Sequence, residues 1–207
     1  MDALLAAYCA GTLEPSLHAL VASHLVLKRD SRSYVAALEA LAADELAKVK
    51  PEPLSGRDER LKAIFDTQPA PSALTSVGSS ILPLPLRQYL GRDLDAIRWR
   101  TKLPGVKECR VENTGRGEAS FLWVKAGRRM PSHTHEGSEI TLVLKGAFSD
   151  VTGHYARGDI AIADADLDHK PITDAAEDCI CFAVTDAPLH LTGPFGRLVD
   201  RLFGAKR

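Results

Sequence analysis

The chain has 207 residues, enough for one medium-sized domain or two small ones. It carries 26 basic and 27 acidic side chains, so its formal net charge is −1. A charge this balanced creates no strong field around the protein, which argues against direct binding to nucleic acid or to an anionic membrane.

The N-terminus carries no basic region followed by an apolar run, so it does not predict a signal peptide. We therefore expect the protein in the cytoplasm. In that compartment cysteines are usually reduced, which favours four free thiols over a disulfide framework. The four are Cys9, Cys109, Cys179 and Cys181.

Residues 1–66 have helical periodicity. A first short helix is expected to end near Gly11, a second to begin at Pro15, and a fourth to lie near Asp58–Phe65. The core of this half is predicted from the apolar stripes of the second and third helices, which contain Leu17, Leu20, Leu25, Tyr34, Leu38 and Leu41. Because short helices bury little surface, we expect this half to dock on the rest of the chain or on a second copy.

The segment Thr67–Leu86 contains four prolines and no charged residue. A membrane-spanning helix needs about 20 predominantly apolar residues, and interior prolines remove helical hydrogen bonds. We therefore interpret the segment as a linker that separates an N-terminal domain, residues 1–66, from a C-terminal domain, residues 87–207.

The C-terminal domain has the period-two pattern of short β-strands separated by glycine-containing turns. The strongest runs are 121–124, 140–144, 160–162 and 179–184, and a last amphipathic turn is expected at 196–203. Together the two halves predict an α + β chain, a small N-terminal helical bundle followed by a β-sandwich or barrel.

Two segments of the predicted barrel are rich in metal-binding residue types. His133 and His135 are two positions apart, so on a strand both imidazoles leave the same face, and Glu139 follows closely. His169 stands in the second segment. Three imidazoles and one carboxylate suit a divalent ion such as zinc, iron, manganese, nickel or copper. Four unrelated polar residues on a barrel surface are the alternative.

In order and spacing these segments resemble the two metal motifs of the cupin superfamily. The resemblance implies a double-stranded β-helix that holds one divalent metal on His133, His135, Glu139 and His169, with zinc favoured over iron, manganese or nickel. The second motif departs mildly from the family at its turn positions, Asp164, Asp166 and Thr173. His154 and His190 fit neither motif, and we expect them to be surface or hydrogen-bonded residues.

The order of helical segment, linker and cupin resembles the ChrR-type anti-sigma factors over nearly the whole chain. The segments that carry the likeness are 4–13, 22–25 and 192–194. The resemblance implies that the helical domain binds an extracytoplasmic-function sigma factor. It also implies that the cupin half responds to a stress signal such as singlet oxygen.

The helical half departs from that family at its zinc motif. His24 is present, but Lys28 and Ser31 stand where the family has two cysteine ligands. Neither residue can replace a thiolate at neutral pH, so we expect no zinc there and predict that His24 is hydrogen-bonded locally. The departure bears on the sigma-factor partner and not on the cupin metal.

Cys179 and Cys181 would share one face of a strand. A redox-sensing thiol pair and two small buried apolar residues are both open, and the second is favoured.

The leading functional hypothesis is a ChrR-like transcriptional regulator that binds a sigma factor and senses stress or a small ligand in its metal-bound cupin pocket. A homodimer is expected, with no direct contact to nucleic acid or membrane. The alternative is a dioxygenase-like cupin metalloenzyme whose helices serve assembly, with Glu136 or Asp168 as the acid or base. A structural metal-binding module is a third reading.

Overall fold

The computed structural model describes residues 1–68, 81–113, 117–187 and 189–192. Within these ranges the helices are α1 (Asp2–Cys9), α2 (Pro15–Leu27), α3 (Asp30–Ala47), α4 (Arg57–Asp66) and α5 (Leu84–Leu90), with a short 3-10 turn at Leu94–Ala96. The strands are β1 (Arg100–Leu103), β2 (Val106–Asn113), β3 (Glu118–Val124), β4 (His133–His135), β5 (Glu139–Lys145), β6 (Ala147–Ser149), β7 (His154–Ala156), β8 (Ile160–Ala163), β9 (Ile172–Thr173), β10 (Cys179–Thr185) and β11 (Leu189–Leu191).

The strands form a sandwich with one large sheet. Six of them pair antiparallel in the order β1-β2-β3-β10-β5-β8. A three-stranded sheet, β7-β6-β9, and the pair β11-β4 complete the described barrel. The α + β fold expected from the sequence is confirmed, as are the four strongest strand predictions. The predicted turn at 196–203 lies outside the described residues.

The two faces of the large sheet bury different partners. On β10, Ile180 and Phe182 belong to a hydrophobic cluster that also contains Leu20 and Val21 of α2. Cys179 and Cys181, the alternate residues of the same strand, pack with Val143 and Phe148 toward the smaller sheet. This alternation is the period of a strand, and it means that the helices share one continuous core with the outer face of the barrel.

The predicted linker ends in structure. Pro83 caps α5, and Leu82 and Leu86 are buried in the cluster shared with α2. Because proline is favoured in the first turn of a helix, the prolines here help to start one. The domain boundaries themselves stay predictions.

The helical half is packed differently from the prediction. Leu20 is buried, but Tyr34 and Leu41 are exposed, so the assignment of these two residues to the core was wrong. The only residue that α3 buries is Val35, and α4 buries none. The stripe on α3 is therefore apolar without being covered by the described residues. No described helix has the length and apolar character needed to span a bilayer.

Candidate metal centre and cavity

Two of the predicted ligands, His133 and His169, meet inside the sandwich. Their backbones form a reciprocal pair, in which each N–H donates to the carbonyl oxygen of the other at 3.1 Å. Both side chains are nearly fully buried, and their Nε2 atoms lie 2.9 Å apart. The bridge therefore brings the second motif onto the strand of the first.

The contacts of the outer nitrogens show where each ring carries hydrogen. Nδ1 of His133 lies 2.8 Å from the carbonyl oxygen of Pro131, and Nδ1 of His169 lies 2.9 Å from Oδ2 of Asp150. A carbonyl and a carboxylate can only accept, so both Nδ1 atoms must carry hydrogen. In the neutral rings both Nε2 atoms then present lone pairs to each other. A cation between them removes that repulsion, and the donor set therefore fits a bound metal ion.

Asp150 is the residue of this site that the sequence motifs missed. Asp150 follows directly after β6, and its side chain is 2% exposed. Oδ1 accepts hydrogen bonds from the backbone N–H and the hydroxyl of Thr152. Burial opposes ionisation of this carboxyl group, but the bonds from Thr152 and His169 outweigh it and hold the pKa of Asp150 below its usual value.

The structure describes less of the other two predicted ligands, Glu139 and His135. Glu139 begins β5, lines the same cavity, and accepts a hydrogen bond from the Thr141 hydroxyl at 3.0 Å. His135 pairs through its backbone with Leu189, and its side chain lies outside the described part of the structure. Among the described side chains, no three His, Cys, Asp or Glu residues converge on a common point. The four-ligand set thus stays a prediction.

The imidazole pair opens onto a cavity of about 980 Å³ between the sheets. Most of its wall is apolar and includes Leu122, Phe148 and Ile162. At one wall the buried Glu108 pairs with Lys102 and Arg110. A volume of this size holds a drug-sized molecule, so the space exceeds what a metal ion alone occupies.

Asp168 and Glu136, the expected acid or base, are not among the described residues that line this cavity. Asp168 is exposed and accepts hydrogen bonds from the hydroxyls of Thr192 and Ser132. These bonds lower the pKa of Asp168. A carboxyl group with a lowered pKa is a poor proton donor at neutral pH.

Cys179 and Cys181 lie side by side in the cavity wall as free thiols. Their Sγ atoms are 3.5 Å apart and both residues are buried. The hydrogen bond with Cys179, together with burial, raises the pKa of Cys181 well above the usual thiol value. The thiolate, which is the reactive form, is therefore disfavoured at Cys181.

We expect iodoacetamide at pH 8 to alkylate Cys181 in the folded chain at least about tenfold more slowly than the half-exposed Cys109, because each unit of raised pKa lowers the thiolate fraction tenfold. Peptide mass spectrometry over a time course measures both rates. In denaturant the two rates should converge. Fast native labelling of Cys181 would instead favour the redox-sensing interpretation.

Comparison with known proteins identifies the family. A family model described as the ChrR cupin-like domain matches residues 88–188, which include all four predicted ligands. The anti-sigma-E factor ChrR of Cereibacter sphaeroides is 40% identical over 206 residues, covering 98% of this chain and 95% of that protein. The chain belongs to the ChrR family of anti-sigma factors. The resemblance inferred from the motifs is thus confirmed.

A solved structure matches the arrangement of both halves. The crystal structure of Rhodobacter sphaeroides SigE in complex with the anti-sigma factor ChrR has a TM-score of 0.76 and 38% identity. The match covers 90% of this chain and 97% of that chain. The ChrR likeness therefore extends over the helical half as well as the cupin.

In this ChrR-family chain, the residues at the altered zinc motif of the helical half form hydrogen bonds and an ion pair within the chain. His24 is buried, and its Nε2 lies 2.8 Å from the hydroxyl of Ser31, which is the local hydrogen bond that the sequence predicted. Its Nδ1 lies 2.6 Å from the carbonyl oxygen of Gly158, in the barrel, a contact that was not expected. Lys28 forms an ion pair with Asp159 at 2.8 Å. Both ring nitrogens of His24 are thus engaged by the protein itself.

Proposed function

We propose that this ChrR-family chain is a cytoplasmic regulator that binds a sigma factor of the extracytoplasmic-function class through α3 and α4. The observation that carries the proposal is the apolar surface of these helices and of the segment that joins them, which the described part of the chain leaves uncovered. It comprises Leu41, Leu46, Val49, Leu54, Ile64 and Phe65, all of them exposed. The named partner in the solved ChrR complex, SigE, supplies the class of protein that would cover it.

The extent of this surface favours a permanent or tightly bound partner. Phe65 is 81% exposed and its neighbour Ile64 is 66% exposed. Large apolar side chains that are exposed together usually mark interaction sites on soluble proteins. The protein surface that meets them should itself be largely apolar at its centre, with a polar rim. A balanced net charge is compatible with a protein partner and gives no attraction toward DNA.

The experiment is co-expression of the full chain with each extracytoplasmic-function sigma factor of the source organism, followed by size-exclusion chromatography and in vitro transcription. At least one sigma factor should co-elute with the chain and lose its ability to start transcription. Retention of none of them would overturn the sigma-factor proposal, whatever the state of the cupin half.

We further propose that the cupin half holds one divalent ion, with zinc favoured, on His133, His135, Glu139 and His169. The facing Nε2 lone pairs of His133 and His169 support this proposal. When bound, the ion would supply a Lewis acid facing the cavity. The chain itself fixes the two rings through Pro131 and Asp150, keeps them out of bulk water, and leaves space for a small ligand beside them.

We expect Asp150 to raise the metal affinity of this site without binding the ion itself. We expect Asp150→Asn to lower the affinity for Zn²⁺ by about 10- to 100-fold, because the carboxylate orients His169 and raises the basicity of its ring. Competition with a chromogenic chelator measures the change. Asp174→Asn is the matched control, since Asp174 pairs with the exposed His154 outside the motifs. An unchanged affinity in Asp150→Asn would exclude this orienting role.

A further inference from the structure

The helical half and the barrel are joined by a polar contact at the corner between α2 and α3. His24 of α2 bonds to the carbonyl oxygen of Gly158 and to the Ser31 hydroxyl, so one buried ring connects α2, α3 and the barrel. The carbonyl accepts only, so Nδ1 donates to Gly158 and Nε2 accepts from Ser31. The ring has no unused hydrogen-bonding atom in this arrangement.

Two further contacts lie beside the ring. Lys28 pairs with Oδ1 of Asp159 at 2.8 Å, while Oδ2 of Asp159 accepts from the backbone N–H of Ala156. Gly158 has φ +90°, and a Cβ there would lie 2.9 Å from Cβ of Leu27. Only glycine fits this turn without pushing the barrel away from α2. We call the set His24, Lys28, Ser31, Gly158 and Asp159 the corner contact.

The corner contact is one end of a single hairpin. β6 and β7 pair in register from Ala147 with Ala156 to Ser149 with His154. The turn that follows β7 holds Gly158 and Asp159. At the opposite end the turn after β6 begins with Asp150, whose carboxylate holds Nδ1 of His169. The hairpin therefore touches the imidazole pair with one end and the helical half with the other.

We infer that the hairpin 147–159 couples the cupin cavity to the sigma-binding half, and that the corner contact is the joint through which it acts. A shift of His169 when the cavity is filled would move Asp150 and, through the paired strands, the turn at Gly158. That turn packs against Leu27 and Lys28 at the end of α2, and His24 links it to Ser31 of α3, the helix that carries part of the exposed apolar surface. The inference deepens the proposed function and, for its regulatory meaning, rests on it.

Coupling of this kind is reciprocal, because each event changes the free energy of the other by the same amount. Loosening the corner contact from the helical side must therefore loosen the Asp150 end of the hairpin, even in the chain alone. This consequence can be measured without knowing the signal, the ligand or the sigma factor.

The test is amide hydrogen exchange on the full-length chain and on two matched variants. Lys28→Met removes the ion pair and keeps most of the aliphatic stem. Lys145→Met removes a similarly exposed pair, Lys145 with Glu177, that joins no helix. In Lys28→Met we expect exchange to rise about two- to fivefold, the worth of an exposed ion pair. The rise should occur at the α2–α3 corner and equally at residues 150–153, with no rise in Lys145→Met.

A second pair of variants applies a larger perturbation. Gly158→Ala adds both strain and the close contact with Leu27, so exchange at both ends of the hairpin should rise about tenfold or more. Gly127→Ala adds positive-φ strain in the barrel with open space around the new Cβ, and it should leave the α2–α3 corner unchanged.

Faster exchange at the corner with unchanged exchange at 150–153 in Lys28→Met would overturn the coupling. So would equal effects in Lys145→Met. The result is independent of sigma-factor binding: a chain that retains no sigma factor but shows the coupled exchange would remove the proposed function and leave the joint intact. A chain that binds a sigma factor without coupled exchange would overturn the coupling and leave the proposed function intact.

Discussion

Replacing His169 with alanine should reduce the metal content of the purified protein from about one ion per chain to nearly none. The ring supplies one of the two Nε2 atoms that face each other at 2.9 Å, and the remaining donors cannot restore that arrangement. Elemental analysis by mass spectrometry after exhaustive dialysis measures the change. The wild-type value should be one and not two, because both nitrogens of His24 already bond to the protein.

The same substitution should lower stability as well. Asp150 would keep its bonds from Thr152 but lose the one from His169, which leaves part of a buried carboxylate without a partner. Such a loss typically costs about 1–3 kcal/mol in the free energy of unfolding. Because a metal that binds only the folded state stabilises it, a chelator should lower the melting temperature of the wild type and not that of His169→Ala.

His154→Ala is the control for this experiment. His154 also pairs with a carboxylate, Asp174, but both side chains are exposed and lie outside the two motifs. It should keep its metal and its melting temperature. Retention of one ion per chain in His169→Ala would contradict the assignment of His169 as a ligand and would move the predicted site elsewhere in the barrel.

The sequence predicts this centre only in part, for reasons of geometry. The spacing of His133, His135 and Glu139 follows from one strand and its turn, so a linear motif can encode it. Asp150 reaches His169 from the end of β6, which pairs with β9 in the same small sheet, and the linear spacing of the two motifs does not include it. An Asp-x-Thr-Gly turn directly after an apolar strand was the available signal.

Prediction of the fold is limited in the same way: the sequence indicates the local secondary structure, but it does not indicate which distant residues cover each face. The strand prediction for β10 is correct. Alternate residues of this strand pack into two different apolar clusters, one on each face of the sheet. On α3 the apolar periodicity is equally clear, but Leu41 faces outward because its face is left uncovered by the described chain. Periodicity indicates that one face of a helix will be buried against apolar groups. It does not show whether the same chain or another protein supplies those groups. Likewise, no pattern around His24 or Lys28 indicates their contacts with Gly158 and Asp159.

Polar substitutions on α4 should separate partner binding from folding. Phe65→Ser is expected to weaken binding of the sigma factor identified by co-expression by at least about thirtyfold, the scale of an aromatic residue at the centre of an interface. Ile64→Ser should act in the same direction. Isothermal titration calorimetry with purified partners measures the affinity of each variant.

Neither substitution should change the stability of the free chain by more than about 0.5 kcal/mol, because α4 contributes no buried residue to the described core. Leu84→Ser is the matched control, since Leu84 is 45% exposed on α5, outside α3, α4 and the hairpin 147–159. It should bind the sigma factor normally.

If Phe65→Ser and Leu84→Ser bound the sigma factor equally well, α4 would not be the binding surface. A loss of stability in Phe65→Ser would mean instead that its ring packs against part of the same chain. Only a loss of affinity at unchanged stability fits a helix whose apolar face is reserved for another protein. That outcome would also explain why this half keeps its helices around so small a core, since α3 and α4 would complete their burial in the complex.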